Sequence, residues 1–524
     1  MRLLRLPHFK YKKYVSSFLF LLSFCIIFTT LFFKYTSNGV DAEFFAEAAT
    51  NFFYNAKFKP VTEAFLLPEA GYLPLLQRII AFFVVTIFDA SAKAPLIFQI
   101  IALSGIAFFC SFINLDTYKN LIQSKTIRFL IGLSLAFFPN FEMFPFINFV
   151  YFGFAFLFLL SFYNFQNKSY LTTFTLGFTG FLVVASKALM LAIAPYYGLL
   201  LLYNFIKQKR KNLIASLLVV LGAILQSGFC LYYLIQNRSI APTSVNEPRS
   251  LVEIISLTYN LYVGIILEDF MDFFYLFKSN EIVIFLVFLV ATLAIPAYFY
   301  SIRKKKIAFG LLALQLTSLI SLLLFLGLAP KSMYPTIRLE QYVKPPFMRW
   351  YFISHQAFIL FLFIAIANFR FRILQPILIL LFLFSYPGYK LFIGEPDIYS
   401  NIYFSHSQWK IYEPLLKKEA FCIPVNPDPW MINHNCEESK TFEDKKVLAL
   451  KMNRLEEEKV IQKVLAKDKN GNPVTLYAML SNSNYYQYLL VDKPARDVQF
   501  YFYDSKGNEF FPQKVKYYVA TGKL

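Results

Sequence analysis

Long apolar runs separated by short charged loops are the feature that most restricts the fold of this 524-residue chain. A helix needs about 20 mainly apolar residues to cross the hydrocarbon core of a bilayer. Runs of that length recur up to residue 392, and the chain as a whole is 57% hydrophobic and only 16% charged. This composition excludes a soluble globular protein of the same length. We therefore predict an α-helical polytopic membrane protein.

About eleven transmembrane helices fit the apolar pattern, with the N-terminus in the cytoplasm and the C-terminus outside. The loops that this register places inside are short and basic, as in 207–211 and 303–306. Two apolar stretches are left out of the count. Residues 72–88 are predicted to lie in the outer interface, and 251–277 carries four acids. Counting both as spans gives an alternative of about thirteen helices. The predicted spans lie near 15–33, 95–113, 127–144, 147–165, 170–187, 190–206, 212–236, 281–301, 307–328, 351–369 and 373–392.

The net charge of +19 comes mainly from these basic loops. No basic helix or aromatic–basic motif accompanies it, so we predict a lipid bilayer and no nucleic acid as its partner. The four histidines are scattered, and no Cys/His spacing resembles a zinc site. We therefore expect no metal ion and no cofactor. Cys422 and Cys436 are close enough in sequence for a disulfide if that region faces an oxidising compartment.

The chain is predicted to have two domains. Residues 1–392 form the transmembrane domain, with interfacial helices in the outer loop 34–94, and residues 393–524 form a β-rich extracytoplasmic domain. Alternating residues at 498–503 predict a strand that ends in a glycine-containing turn at 504–508. A second such turn is predicted at 468–472. A calcium loop is the alternative there, but the acid that such a loop needs further along is missing.

The outer loop 34–94 carries the acids that could act as a catalytic base. Asp41 precedes an amphipathic helical pattern, as an N-cap residue would, and Glu43 and Glu47 follow it. A carboxylate held at the start of a helix is well placed to take a proton from a substrate. The alternative is that Asp41 only caps the helix, while Glu43 and Glu47 form its solvated face.

Cationic residues predicted on the outer side could bind an anionic ligand. Arg78 ends the segment 69–78, and Arg338 and Arg349 lie between the ninth and tenth predicted spans. Arginine binds phosphate oxygens in a fork, although contact with lipid phosphates is the simpler explanation. Lys187 at the end of the fifth span and Glu142 in the loop before the fourth are candidates for a polar cavity between helices.

Short motifs add a family resemblance to this arrangement. They are GYLPLLQR at 71–78, RWYF at 349–352, SQW at 407–409 and IPVNP at 423–427. With these motifs the chain resembles the GT-C fold membrane glycosyltransferases, and among them the bacterial O-antigen glucosylating membrane proteins. The chain has RWYF where that family has Arg-Tyr-Phe, and an acid pair in place of Asp-x-Asp, so the choice between Asp41 and Glu43 as base stays open.

The resemblance implies an inverting, metal-independent hexosyltransferase of the bacterial inner membrane. It would move a sugar, expected to be glucose, from a polyprenyl-phosphate donor to a cell-surface glycan acceptor such as O-antigen on the periplasmic face. Asp41 or Glu43 would be the base. The other implied roles are donor phosphate binding for Arg78, Arg338 and Arg349, and acceptor or sugar binding for Glu69 and Trp409.

Two other functions remain open from sequence. A transporter or flippase of lipid-linked glycans would show acids or broken helices inside spans and symmetry between two halves, and neither pattern is evident. An O-antigen polymerase or ligase would keep arginines in a large middle outer loop, and the loop at 237–280 is only of moderate length.

The predicted register can be tested with a reporter enzyme that is active only outside the cytoplasm. A fusion after Leu524 should be active, because an odd number of spans places the two termini on opposite sides. A fusion after Lys209, in a predicted inner loop, is the matched control and should be inactive. An inactive fusion at Leu524 with correct expression would contradict the register.

Overall fold

The computed structural model describes residues 11–35, 44–69, 71–136, 143–237, 250, 253–254, 281–328, 352–369, 375, 409–425, 430–439, 447–453, 455–456, 459–460, 463–480, 486–491, 498–504, 506–510 and 515–521. The chain forms two compact units. We call Met1–Leu31, Phe65–Gln77 and Ile101–Glu395 the helical unit, and Phe32–Ala64, Arg78–Ile100 and Pro396–Leu524 the mixed unit. This grouping of an early loop with the C-terminal region was not among the expectations from sequence.

Helices dominate the first three quarters of the described chain. Shorter π-helical stretches at Ala48–Phe53 and Phe83–Ile87 precede α2 and follow α4, and a 3-10 stretch at Ala188–Ile193 precedes α9. The α-helices are α1 (Tyr11–Tyr35), α2 (Tyr54–Phe58), α3 (Val61–Leu66), α4 (Leu75–Phe82), α5 (Ala94–Ser111), α6 (Lys125–Ala136), α7 (Gly153–Phe162), α8 (Tyr170–Val184), α9 (Ala194–Ile206), α10 (Arg210–Asn237), α11 (Glu281–Ser301), α12 (Lys305–Leu328), α13 (Phe352–Asn368) and α14 (Trp409–Tyr412).

Several of these helices have the length and composition of membrane spans. Among the described residues, four qualify: Ser91–Asn114, Ala188–Ile206, Arg210–Gln236 and Lys305–Leu326. Shorter apolar helices include Phe18–Phe33, Tyr170–Val184 and Phe352–Asn368. The prediction of a helix-rich chain with membrane-type helices and a C-terminal strand-rich region is therefore confirmed at this level. The total of about eleven spans stays a prediction, and the span predicted at 373–392 lies outside the described residues except for Gln375.

Glycines let α8 and α10 pack closely in the helical unit. A Cβ added to Gly222 of α10 would lie 2.6 Å from the carbonyl oxygen of Phe181 in α8. A Cβ on Gly180 of α8 would lie 2.8 Å from Cγ2 of Val219 in α10. Small residues at a helix–helix contact allow the backbones to approach, which is how helices associate in a bilayer. Here the closest neighbour of Gly222 is backbone, which cannot move aside cheaply.

The C-terminal part of the mixed unit is built from antiparallel strands. One sheet has five strands in the order β3-β13-β4-β10-β9, and a second has four in the order β12-β11-β7-β8. The remaining pairs are β1-β2 and β5-β6. The strands are β1 (Phe421–Pro424), β2 (Met431–His434), β3 (Cys436–Ser439), β4 (Val447–Asn453), β5 (Leu455–Glu456), β6 (Lys459–Val460), β7 (Lys463–Lys467), β8 (Pro473–Val474), β9 (Leu476–Leu480), β10 (Tyr486–Val491), β11 (Gln499–Tyr503), β12 (Glu509–Phe510) and β13 (Val515–Ala520).

Alternation along β11 builds part of the core between these strands. Phe500 and Phe502 are buried, whereas Gln499 between Val498 and Phe500 is exposed. This is the period of two that a half-buried strand requires. The same core contains Val447, Leu450, Ala466, Val498, Tyr517 and Val519. The predicted strand at 498–503 is thus confirmed.

Both predicted glycine turns are present. Asp468 Oδ1 accepts from the backbone N–H groups of Asn470 and Asn472 at 2.8 Å, and Gly471 has φ +78°. The turn that follows β11 has the same construction around Asp504, with Gly507 at φ +80°. The backbone hydrogen bond from Asn472 is the main reason that the pKa of Asp468 lies below its usual value. The carboxylate of Asp468 is therefore used within its own β-turn.

A disulfide joins the first and third strands. Cys422 in β1 and Cys436 in β3 are bonded, with their Cα atoms 6.1 Å apart, which lies within the range that disulfides span. The bond closes a loop of 14 residues. It links β1, which pairs with β2, to the strand at the edge of the five-stranded sheet.

Substitution of Gly222 should destabilise the helical unit. In G222A the new methyl group meets the Phe181 carbonyl, and overpacking of this kind costs about 1–3 kcal/mol. The thermal unfolding midpoint of the full-length protein in detergent measures the effect. G228A on the same helix is the matched control, because its Cβ meets nothing within 4 Å. Equal midpoints for G222A and G228A would contradict the close packing of α8 and α10.

Candidate functional site

A tight turn at 69–72 positions the first part of the candidate site. The backbone N–H of Glu69 donates to the carbonyl of Tyr72 at 2.9 Å, and the N–H of Tyr72 donates back at 3.1 Å. Gly71 lies between them with φ +83°. That value matches the third position of a type II turn, where a side chain would be strained. Glu69 is half-buried here, and its predicted role in binding the acceptor stays a prediction.

The start of α4 is anchored to the end of α8. The first N–H groups of a helix have no partner within the helix. In α4, Leu76 N–H donates to Ser186 Oγ at 2.8 Å, and Leu75 N–H donates to the carbonyl of Ala185 at 3.5 Å. Both acceptors lie just beyond the last residue of α8. The unpaired N–H groups at the start of α4 are therefore bonded by acceptors at the end of α8. These hydrogen bonds fix the segment that carries Tyr72.

Two buried glutamines hold the same segment from other directions. Leu73 N–H donates to Gln226 Oε1 of α10 at 3.3 Å, and Gln77 Nε2 of α4 donates to the carbonyl of Ile147 at 3.2 Å. Both glutamine side chains belong to residues with no exposed surface. The stretch from Leu73 to Gln77 is thus tied to α8, to α10 and to the segment before α7.

Lys187 places a positive charge inside this arrangement. The residue is 5% exposed, and its Nζ donates to the hydroxyl of Tyr72 at 2.7 Å and to Asn148 Oδ1 at 3.4 Å. The same Nζ lies 5.0 Å and 5.1 Å from the ring centroids of Tyr72 and Tyr151. Burial of a charge is costly, and aromatic faces and polar oxygens offset part of that cost.

Two glutamines of the same unit retain hydrogen-bonding capacity. Within the described part of the chain, Gln77 Oε1 and Gln226 Nε2 are buried and have no hydrogen-bond partner. An unpaired buried polar group costs about 1–3 kcal/mol. Gln77 bonds Ile147, the residue before Asn148, and Gln226 bonds Leu73, the residue after Tyr72. Lys187 donates to both Asn148 and Tyr72. The following residues are called the Lys187 cluster below: Tyr72, Gln77, Asn148, Tyr151, Lys187 and Gln226.

Arg78, one of the predicted phosphate ligands, is buried in the mixed unit. It is 4% exposed, and its Nη1 donates to the carbonyl of Asn51 at 2.8 Å. Its Cζ lies 5.3 Å from the centroid of the Phe52 ring. These contacts give the guanidinium a role in holding the π-helical stretch Ala48–Phe53. Its predicted role toward a donor phosphate stays a prediction.

Trp409, the predicted sugar-stacking residue, belongs to an aromatic cluster. It is 3% exposed, and its Nε1 donates to the carbonyl of Ser91 at 3.0 Å. The rings of Phe44 and Phe53 approach it edge to face, with centroids at 4.5 Å and 5.1 Å. Such contacts join the early loop to the start of the C-terminal region. Sugar stacking stays a prediction, and it would require the indole to become uncovered.

The acidic loop is only partly described. Asp41 and Glu43 lie outside the described residues, as do Arg338 and Arg349. Glu47 is half-buried, which differs from the solvated position that the capping alternative gave it, and its Oε2 is buried without a hydrogen-bond partner among the described residues. The preceding Ala46 has φ +44°, a left-handed conformation that favours glycine.

A second contact joins the early loop to the C-terminal strands. The hydroxyl of Tyr54 in α2 lies 3.1 Å from Nδ1 of His434 in β2. The rings of Phe58 and Phe421 lie 4.7 Å and 5.0 Å from the imidazole centroid. Burial, and then the charge of Lys59, lower the pKa of His434 below its usual value. The neutral imidazole is therefore the form that this packing favours.

The sequence pattern points to only part of the Lys187 cluster. Lys187 itself was proposed for a polar cavity, and Tyr72 and Gln77 lie in the motif at 71–78 without an assigned role. Asn148, Tyr151 and Gln226 were not singled out. Polar side chains inside or beside apolar spans are the signal that could have found them, since Gln226 lies within the span predicted at 212–236.

Acidification should weaken the contact around His434. The lowered pKa means that the unfolded chain binds the proton more readily, so the contribution to stability is present above about pH 6.5 and is lost as the pH falls through the folded-state pKa. We expect the thermal midpoint of the wild-type protein to fall more between pH 7.5 and pH 5.5 than that of H434Q, which does not titrate. Parallel pH profiles for the two proteins would contradict this.

Comparison with protein-family models, with curated proteins and with solved structures finds no match for this chain. The resemblance to GT-C glycosyltransferases therefore rests on the short motifs and the predicted architecture, and it stays a prediction. The structure contributes the arrangement of the Lys187 cluster and the packing of the early loop against the C-terminal strands.

Proposed function

We propose that this chain is a membrane glycosyltransferase that moves a sugar, expected to be glucose, from a polyprenyl-phosphate donor to a cell-surface glycan such as O-antigen. The observation that carries the proposal is the buried cation of Lys187, surrounded by polar and aromatic side chains within a unit that is built from membrane-type helices. A lipid-linked phosphate can reach such a position from the bilayer, whereas a soluble nucleotide sugar has no apolar tail to hold it there.

The packing of the mixed unit supports the predicted orientation. The loop after α1 contacts the C-terminal region through Trp409 with Phe44 and through His434 with Tyr54. Segments in contact lie on the same side of a membrane, so the C-terminal region would lie opposite the N-terminus. That requires an odd number of spans, as in the architecture with about eleven and in the alternative with about thirteen.

The disulfide supports the same side assignment. Structural disulfides form and persist in oxidising compartments, such as the bacterial periplasm, and are rare in the cytoplasm. The bond between Cys422 and Cys436 therefore favours a periplasmic C-terminal domain. With the N-terminus in the cytoplasm, the enzyme would be a multi-pass protein of the bacterial inner membrane whose transfer reaction takes place on the periplasmic face.

The proposed reaction is a single displacement at the anomeric carbon. An acceptor hydroxyl attacks that carbon, the bond from carbon to phosphate oxygen breaks, and the polyprenyl phosphate leaves with the electron pair. A carboxylate takes the hydroxyl proton, for which Asp41 is the first candidate and Glu43 the second. Cationic side chains stabilise the charge on the leaving phosphate. The predicted roles of Arg78, Arg338 and Arg349 in phosphate binding, and of Glu69 toward the acceptor, belong to this scheme.

Substitution of the proposed base should abolish transfer. In membranes supplied with radiolabelled polyprenyl-phosphate glucose and acceptor glycan, D41N should reduce the rate by about 10²–10⁴-fold, the range for loss of a general base. E43Q decides between the two candidate bases. E63Q is the matched control in the same loop, because Glu63 is exposed and forms a surface ion pair with Lys59 at 3.2 Å. Full activity of both D41N and E43Q at normal expression would remove this loop from the chemistry.

A further inference from the structure

We propose that the Lys187 cluster is the site that binds the phosphate and the adjoining sugar of the lipid-linked donor. This rests on the proposed function, and it moves the main phosphate contact from the arginines predicted from sequence to a lysine. The cluster lies wholly within the helical unit, so each of the contacts that define it belongs to one compact body.

The position of the charge is the first argument. Lys187 follows α8 and is held between Tyr72 and Asn148, with the rings of Tyr72 and Tyr151 about its Nζ. The turn at Gly71 and the anchored start of α4 fix Tyr72, so the ammonium group is presented from a preformed position. A preorganised cation in a site that excludes water attracts an anion far more strongly than the same group would in water.

The two glutamine side-chain atoms that lack hydrogen-bond partners among the described residues are the second argument. Gln77 Oε1 can accept a hydrogen bond, and Gln226 Nε2 can donate one, and both atoms are buried without partners among the described residues. A group that offers both donors and acceptors satisfies this pair. Sugar hydroxyls do so, because each can donate and accept. A ligand that combines a phosphate with hydroxyls therefore matches both the charge of Lys187 and the two amides.

The exposed apolar surface of α9 is the third argument, and it concerns the lipid tail of the ligand. The 3-10 stretch after Lys187 leads directly into α9. On α9, Leu199, Leu202 and Phe205 are 69%, 56% and 69% exposed. In a membrane-type helix such side chains face lipid. A ligand whose polar head contacts Lys187 can therefore keep an apolar chain along this surface, which favours a lipid-linked sugar phosphate over a free one.

The binding experiment uses the full-length protein in nanodiscs of zwitterionic phosphatidylcholine. Native mass spectrometry and the shift of the thermal midpoint measure binding of undecaprenyl phosphate. We expect saturable binding by the wild type and at least tenfold weaker binding by K187Q. K168Q is the matched control, because Lys168 is an exposed lysine of the same unit and should bind as the wild type does. Equal binding by K187Q and the wild type would overturn the proposal.

Control ligands and a second variant identify the ligand chemistry. Neither inorganic phosphate nor nanodiscs that contain phosphatidylglycerol should shift the thermal midpoint in a way that depends on Lys187. Such a shift with either ligand would show a general site for anions or lipid headgroups, and it would overturn the donor assignment. In the transferase assay, Q226L should raise the donor KM more than it lowers kcat, because it removes the Nε2 donor to the sugar and the acceptor of Leu73 N–H, and neither group is a proposed base. An unchanged donor KM in Q226L would remove the amide from the site.

Two measurements keep the test decisive if K187Q does not fold. Y72F retains the ring and loses the hydroxyl that positions Nζ, and we expect weaker binding of undecaprenyl phosphate by a protein that still shows a cooperative thermal transition without ligand. In the wild type, a photoreactive polyprenyl phosphate should label peptides from 71–77 or 185–193. Labelling confined to other peptides would overturn the proposal.

The outcomes separate this inference from the proposed function. Lys187-dependent binding of undecaprenyl phosphate without any sugar transfer would leave the phosphate site standing and defeat the transferase. Transfer that proceeds in K187Q with the wild-type donor KM would leave the transferase standing and defeat the phosphate site.

Discussion

The buried charge of Lys187 is the interaction on which the organisation of the helical unit depends. A cation at 5% exposure is tolerated only where polar oxygens and aromatic faces surround it, and the unit supplies them from two separate parts of the chain. Tyr72 comes from the turn before α4, and Asn148 and Tyr151 come from the segment that leads into α7. The helix ends, the glycine turn and the glutamine contacts all hold these groups in place.

The mixed unit shows how the early loop acquires a fixed structure. The π-helical stretch and α2 are too short to be stable as isolated helices. They are held by Arg78 on the carbonyl of Asn51, by the aromatic contacts of Trp409, and by the contact of Tyr54 with His434. Because the contacts of Trp409 and His434 join residues that are hundreds of positions apart, the early loop and the C-terminal region are organised together.

Local patterns predicted local structure well. The apolar runs predicted α1, α5 and α10, because a membrane-type helix satisfies its own backbone and needs only length and hydrophobicity. The two turns at Asp468 and Asp504 followed from glycine and aspartate, which act within five residues. The expected start of the fourth span at 147 was less accurate, since the chain first forms a 3-10 stretch at Phe149–Phe152 before α7 begins at Gly153. Helix ends depend on neighbouring segments as much as on local sequence.

By itself, the sequence determined that this chain has membrane-type helices and a strand-rich C-terminal region, because hydrophobicity and alternation are properties of neighbouring residues. It also offered Lys187, together with Glu142, as a candidate for a polar cavity between helices, without making either residue distinctive. Only the tertiary structure decided which groups surround that lysine, and that Trp409 and Arg78 are packed against the early loop. Those outcomes depend on contacts between distant parts of the chain, and no local pattern specifies which partners meet.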